Sequence, residues 1–126
     1  MKMDKILLGL AVVLMTCSAV ADLVQPQQLL ESMAVLSLPA YFCTVLGAGK
    51  LVGVAALLVT QFSAAVPAFW REWAWAGFTI DLVGAVACHL LAGDSAHAAG
   101  PVIPLVVVTA AHVLDRRSRS SERAAA

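Results

Sequence analysis

The chain has 126 residues, 61% of them hydrophobic, with a mean hydropathy of +0.89 and a formal net charge of zero. Soluble domains are about half apolar, so this excess, arranged in long uncharged runs, is typical of an integral membrane protein. The balanced charge argues against nucleic-acid binding, and the three cysteines show neither a C-x-x-C nor a zinc-ligand spacing. We therefore expect one domain in a lipid bilayer, without a metal site.

The first apolar run, residues 6–21, allows two interpretations. Two lysines before it and an A-x-A sequence at its end are typical of a cleaved signal peptide. Extension to residue 24, with Asp22 near the interface, instead gives a retained membrane-spanning helix. The run by itself supports the two interpretations about equally.

A short amphipathic segment follows the first run. Pro26 suits the first turn of a helix, and apolar residues then recur at helical spacing. This pattern predicts a short helix on the membrane surface. Its apolar positions are Leu29, Leu30, Met33 and Leu36.

Three further runs are long enough to span a bilayer, and each is nearly free of charge. The fourth run has Pro101 and Pro104 near its start, where proline fits a first helical turn. The sequence predicts an all-α fold, an antiparallel four-helix transmembrane bundle with the short interfacial helix between spans one and two. The predicted spans are about 6–24, 41–62, 73–92 and 98–114, within a membrane domain of residues 1–115; residues 116–126 form a basic tail that we expect to be disordered.

Basic residues near the ends of the spans predict the orientation. With four spans, the flanking lysines and arginines all fall on one side of the membrane, which should be the cytoplasmic side. We expect a multi-pass protein of a bacterial-type inner membrane with both termini in the cytoplasm. The residues are Lys2, Lys5, Arg71, Arg116, Arg117, Arg119 and Arg123.

Four polar residues within the spans form the candidate intramembrane site. Lys50 and Asp81 lie near the middle of neighbouring spans, which predicts an ion pair between them. His89 and Asp22 both fall nearer the outer side, and a hydrogen bond between them is feasible. Buried charges of this kind either specify helix packing or form a ligand or proton site, and the sequence supports both interpretations. For His89, a helix–helix hydrogen bond is favoured over metal binding.

Other residues are assigned to packing and anchoring. Small residues on spans two and three should let helices approach closely: Gly49, Gly53, Gly77, Gly84 and Cys88. Aromatic residues near the span ends should lie at the membrane interface: Trp70, Trp73, Trp75 and Tyr41. Cys43 and Cys88 could approach each other on the outer side, although packing is favoured over a disulfide.

Three stretches resemble the DoxX-like family of small four-helix membrane proteins. They read S-A-V-A-D-L-V-Q-P at 18–26, L-P-A-Y-F-C-T-V-L-G-A-G-K-L-V-G-V-A-A-L-L at 38–58, and R-E-W-A-W-A-G-F-T-I-D-L-V-G-A-V-A-C-H-L-L-A-G-D at 71–94. The resemblance implies a retained first helix. The sequence departs from the family pattern at Ser37-Leu38, where Gly-Tyr is usual.

The resemblance implies a role, but no catalytic residue. It points to an accessory subunit of a quinone-linked redox or oxidative-stress system that binds an apolar small molecule, with quinone as the candidate cofactor. The alternative is a non-catalytic partner or scaffold for another membrane or peripheral redox protein. A small transporter is less favoured, because four spans without an internal repeat would require an oligomer. A homo-oligomer remains compatible with the sequence, which favours no enzymatic activity of the chain alone.

Overall fold

The computed structural model describes residues 2–126 and contains five α-helices, with no β-strand in that range. Four of the helices are long and apolar enough to cross a membrane. The elements are α1 (Lys2–Val24), α2 (Gln27–Val35), α3 (Tyr41–Phe62), α4 (Phe69–Leu91) and α5 (Ser95–Ala125).

The four long helices form a bundle in which each helix packs against two others. α1 contacts α3 and α5, and α4 contacts the same two helices from the other side. The core consists mainly of small and branched side chains around two aromatic residues, Trp75 and Phe78, whose rings meet edge to face. Many large apolar side chains are exposed on the outer surface, as expected for helices that face lipid.

Local sequence explains where several helices begin and end. Pro26 and Pro39 precede α2 and α3, where proline fits the start of a helix. α4 ends in a Schellman motif, in which Gly93 has a φ of 74° and Asp94 N–H bonds to the His89 carbonyl. α2 ends with the same hydrogen-bond pattern, but Ser37 occupies the left-handed position with a φ of 57°.

Three helices extend beyond the spans predicted from the sequence. α1 begins at Lys2, four residues before the predicted start at residue 6. α4 begins four residues earlier, at Phe69, so Arg71 lies in its first turn and not in a loop. α5 begins at Ser95, which places Pro101 and Pro104 inside the helix and not in its first turn. α5 also continues through the basic segment expected to be disordered. Alanine, arginine and glutamate favour helix, and a preformed α5 removes the cost of nucleation there.

Candidate functional site: a charged cluster beside a cavity

Lys50 of α3 lies between two carboxylates. Its Nζ donates a hydrogen bond to Asp22 Oδ2 of α1 at 2.6 Å and lies 3.3 Å from Asp81 Oδ2 of α4. It also donates to Ser18 Oγ at 3.0 Å. The ion pair with Asp81 confirms the sequence prediction, whereas the sequence did not predict the shorter contact with Asp22.

The charges of this cluster do not balance. One ammonium faces two carboxylates, and the side chains of Lys50, Asp22 and Asp81 are 9%, 10% and 15% exposed. An unbalanced buried charge is costly, so such a site favours either a bound proton or a ligand that donates hydrogen bonds. The cluster can therefore both donate hydrogen bonds, from Lys50, and accept them, at the carboxylates.

A cavity of about 530 Å³, here called the inner cavity, lies beside the cluster. All four polar residues predicted from the sequence line it, namely Asp22, Lys50, Asp81 and His89. Apolar residues of α2 and α3 form much of the remaining wall, including Leu29, Met33, Leu36, Phe42 and Leu46. Its volume lies within the range of about 300–1,000 Å³ that is usual for small-molecule sites.

Two prolines of α5 also line the inner cavity. Pro101 and Pro104 have no N–H, so they remove the helical hydrogen bonds to the carbonyls of His97 and Gly100. Interruptions of this kind are tolerated at membrane depth where the backbone borders a cavity or is buried in protein. The position of Pro101 and Pro104 beside the inner cavity fits this rule.

His89 contacts a residue other than Asp22, the partner that its position near the outer side made feasible. Its Nδ1 lies 3.0 Å from Asp94 Oδ2, just beyond the end of α4, and not on Asp22. Asp94 Oδ1 lies 2.7 Å from Nδ1 of His97, whose side chain is largely exposed. The hydrogen bond with His97, followed by that with His89, holds the pKa of Asp94 below its usual range. The Schellman motif explains this difference, because it folds Asp94 back toward His89.

A second polar cluster was not predicted as a unit. Arg71 is 1% exposed, and its Nε and Nη2 donate to Asp115 Oδ2 and Oδ1 of α5 at 2.7 and 2.6 Å. Its Nη1 donates to the Leu57 carbonyl at 2.9 Å. Trp75 Nε1 donates to Asp115 at 3.2 Å, and Arg119 lies 3.4 Å from the same carboxylate. One sequence feature could have predicted this cluster: Arg71 and Asp115 have opposite charges and lie at span ends assigned to the same side of the membrane.

One of the aromatic residues assigned as interfacial anchors needs a correction. Trp75 is not an interfacial anchor: it is fully buried, bonded to Asp115 and stacked on His112. Trp70, Trp73 and Tyr41 remain exposed on the outer surface. The reason is helical phase, since Trp73 and Trp75 differ by about 200° around α4.

Only one of the four glycines assigned to packing makes a close contact. A methyl group on Gly53 would lie 2.7 Å from Phe78, but one on Gly49, Gly77 or Gly84 would meet nothing within 4 Å. Those three glycines line cavities instead of the close helix–helix contacts that were expected at these positions. The close approach of α1 and α3 instead occurs at Gly47, where a methyl group would lie 3.0 Å from the Ala19 carbonyl.

The structure also shows the state of the cysteines and of the histidine, cysteine and acidic side chains as a group. Cys17, Cys43 and Cys88 are free thiols, and Cys88 lines the inner cavity. Within residues 2–126 no group of three histidine, cysteine or acidic side chains is arranged to hold a metal ion.

Comparison with known protein families identifies the chain. The family model described as "DoxX-like family" matches residues 6–111, which includes α2, α3 and α4 in full, α1 without its first four residues and the first 17 residues of α5. The chain belongs to the DoxX-like family. No curated protein and no solved structure matches this DoxX-like protein significantly. The family match and the helices together establish a multi-pass membrane protein with a four-helix bundle.

Proposed function

We propose that this DoxX-like protein is an accessory subunit of a quinone-linked redox or oxidative-stress system and binds a lipophilic quinone in the inner cavity. The observation that carries the proposal is the Asp22–Lys50–Asp81 cluster, which places an excess carboxylate beside a mostly apolar cavity of about 530 Å³. A quinone head has carbonyl oxygens that accept from Lys50, and its reduced form has hydroxyl groups that donate to a carboxylate. The chain itself is assigned no catalytic step.

The proposed arrangement in the membrane is antiparallel, with α2 at the interface and both termini in the cytoplasm. A contact between opposite ends of two consecutive helices supports this arrangement, since Arg71 in the first turn of α4 bonds to Asp115 in the last third of α5. The positive-inside rule supports the orientation, because the basic residues gather on the side of Arg71 and Asp115. A bacterial-type inner membrane is part of the same proposal.

The first test is to extract and quantify quinone from protein purified in mild detergent. Asp81→Asn keeps the size of the side chain but removes its charge, and Glu122→Gln makes the same change at an exposed position of α5. We expect near-stoichiometric quinone in the parent protein and in Glu122→Gln. An oxidised quinone has only acceptors, so the Asp81 carboxylate can bond only to a hydroxyl group of the reduced form. In Asp81→Asn, the loss of that charge-assisted hydrogen bond, about 1.5–3 kcal/mol, should lower the affinity for the reduced quinone by about tenfold or more. Background quinone in all three folded proteins would refute the proposal.

One observation favours a second function, that of a partner or scaffold protein. α5 has 31 residues and is about 46 Å long, well beyond the roughly 30 Å of the hydrocarbon core. Its last turns carry Arg116, Arg117 and Arg123 as exposed side chains. This basic extension fits an acidic surface of a membrane or peripheral redox protein, or of a second copy in a homo-oligomer. Replacing Arg116, Arg117 and Arg123 together with glutamine should release such a partner without unfolding the bundle, as measured by co-purification with the full chain as control.

A further inference from the structure

A second cavity lies between α3 and α4. This cavity, here called the lateral groove, has a volume of about 290 Å³ and a mostly apolar lining. Along α4 it extends from Trp70 to Asp81, a distance of about 16 Å by residue count. Gly49 and Gly77 line opposite walls, and a methyl group on either would meet nothing within 4 Å. The glycines therefore hold the groove open instead of closing the helix interface.

The lateral groove and the inner cavity share three lining residues, Leu46, Lys50 and Asp81. The Lys50–Asp81 ion pair thus stands where the two spaces meet, and both of its side chains line each space. An elongated amphiphile could place a polar head at this pair and a hydrocarbon chain in the groove. The end of the groove away from the ion pair is formed by Trp70 and Trp73, which are exposed on the lipid-facing surface.

We propose that the lateral groove binds the isoprenoid chain of the quinone whose head occupies the inner cavity, a proposal that rests on the proposed function. The position of the ion pair selects this occupant over a phospholipid. Lys50 is nine residues from the start of α3, about 14 Å along the helix. An acyl chain that entered from Trp70 and Trp73 would end with its apolar terminus against the charges of Lys50 and Asp81. A phospholipid lying the other way would have to bring a charged headgroup to this depth, whereas a quinone head is neutral and its carbonyl oxygens can be hydrogen-bonded there. The buried pair supplies the polar contacts that such a head requires.

The test compares two quinones that have the same head and different chains. Full-length protein in phospholipid nanodiscs is titrated with long-chain ubiquinone or with its single-prenyl analogue, and binding is followed by quenching of tryptophan fluorescence. Gly77→Leu fills the groove, and Gly49→Leu fills it from the other wall. Gly9→Leu is the matched control, because a side chain at Gly9 also meets nothing within 4 Å and Gly9 lines neither cavity.

We expect each groove variant to weaken binding of the long-chain quinone by at least about tenfold. That factor equals about 1.4 kcal/mol, the contribution of roughly two buried methylene groups, and a leucine side chain displaces more than that. Binding of the single-prenyl analogue should change by less than about twofold, since its chain does not fill the groove. The control variant should resemble the parent protein with both quinones.

The possible outcomes separate this proposal from the one on which it rests. If neither quinone binds the parent protein, the proposed function fails. If both bind but the groove variants affect the two equally, or affect neither, only the groove assignment is overturned. Stoichiometric phospholipid in the purified parent, lost in Gly77→Leu while quinone binding is unchanged, would assign the groove to an acyl chain and also overturn it.

Discussion

Replacing Asp115 with asparagine should destabilise this DoxX-like protein more than any comparable change at the protein surface. Asp115 accepts two hydrogen bonds from Arg71, which is 1% exposed, and one from Trp75. Asp115→Asn keeps the shape of the side chain and removes its charge. The guanidinium would then have only neutral acceptors, the Leu57 carbonyl and the Thr60 and Gln61 side chains.

Breaking a buried ion pair by removing one partner costs about 3–5 kcal/mol, because the other charge remains buried without compensation. That cost is a large part of a typical total stability of about 5–15 kcal/mol. Arg71→Met should cost less than Asp115→Asn, since Arg119 remains 3.4 Å from the Asp115 carboxylate and can neutralise part of its charge. In the double variant neither charge remains, so its loss of stability should be at least about 2 kcal/mol smaller than the sum of the two single losses.

The free energy of unfolding can be measured by titration with SDS in mixed micelles, followed by circular dichroism. Arg117→Met is the matched control, because it removes an exposed arginine two residues after Asp115 in α5 and should change stability by less than about 0.5 kcal/mol. A cost below about 1 kcal/mol for Asp115→Asn, or additive losses in the double variant, would mean that the pair is as weak as a solvated surface ion pair, and the reasoning would be wrong.

Three further predictions use local geometry. Gly53→Ala should lower the free energy of unfolding by about 1–3 kcal/mol, because its methyl group would overlap Phe78, whereas Gly49→Ala should be neutral or stabilising by up to about 1 kcal/mol; equal effects in the same titration would contradict this. Ser37→Gly should raise the melting temperature, since serine at a φ of 57° costs about 1–2 kcal/mol that glycine avoids; a lower melting temperature would contradict the strain. The depressed pKa of Asp94 stabilises the folded protein above about pH 4, and this stabilisation is lost as the pH falls through the lower pKa of the folded state. Melting curves from pH 7 to pH 3 should therefore show a fall in melting temperature for the parent protein. The fall should be smaller for Asp94→Asn.

Much of the fold follows from one-dimensional features of the sequence. The lengths of the apolar runs predicted α3, α4 and α5, and the family resemblance favoured a retained α1. Counting residues along α3 and α4 placed Lys50 and Asp81 at matching depths, which gave the ion pair. These predictions succeed because helix rise is constant and the bilayer limits the length of a span.

Features that depend on helix rotation or on side-chain reach could not be predicted in this way. The sequence does not say which face of α4 turns inward, so Trp75 was grouped with the exposed aromatic residues. Lys50 has a long side chain, and its Nζ reaches Asp22 near the end of α1, a contact that Cα depths do not reveal. Gly49 and Gly77 were assigned to close packing, although both border a cavity. The sequence alone cannot distinguish a glycine at a close helix–helix contact from one that lines a cavity.

The two buried charge clusters differ in a way that separates structural from functional roles. Around Arg71 the buried charges are compensated, since Asp115 faces it directly and the remaining N–H groups reach neutral oxygens. Arg119 also contacts Asp115, but its side chain is 29% exposed and keeps part of its hydration. Such a cluster needs no ligand, and its proposed consequence is stability. Around Lys50 a second carboxylate remains, and both spaces that meet there are large enough to admit a guest. In the folded protein this buried excess charge is costly unless a proton or a ligand offsets it. We therefore place binding at Lys50 and not at Arg71.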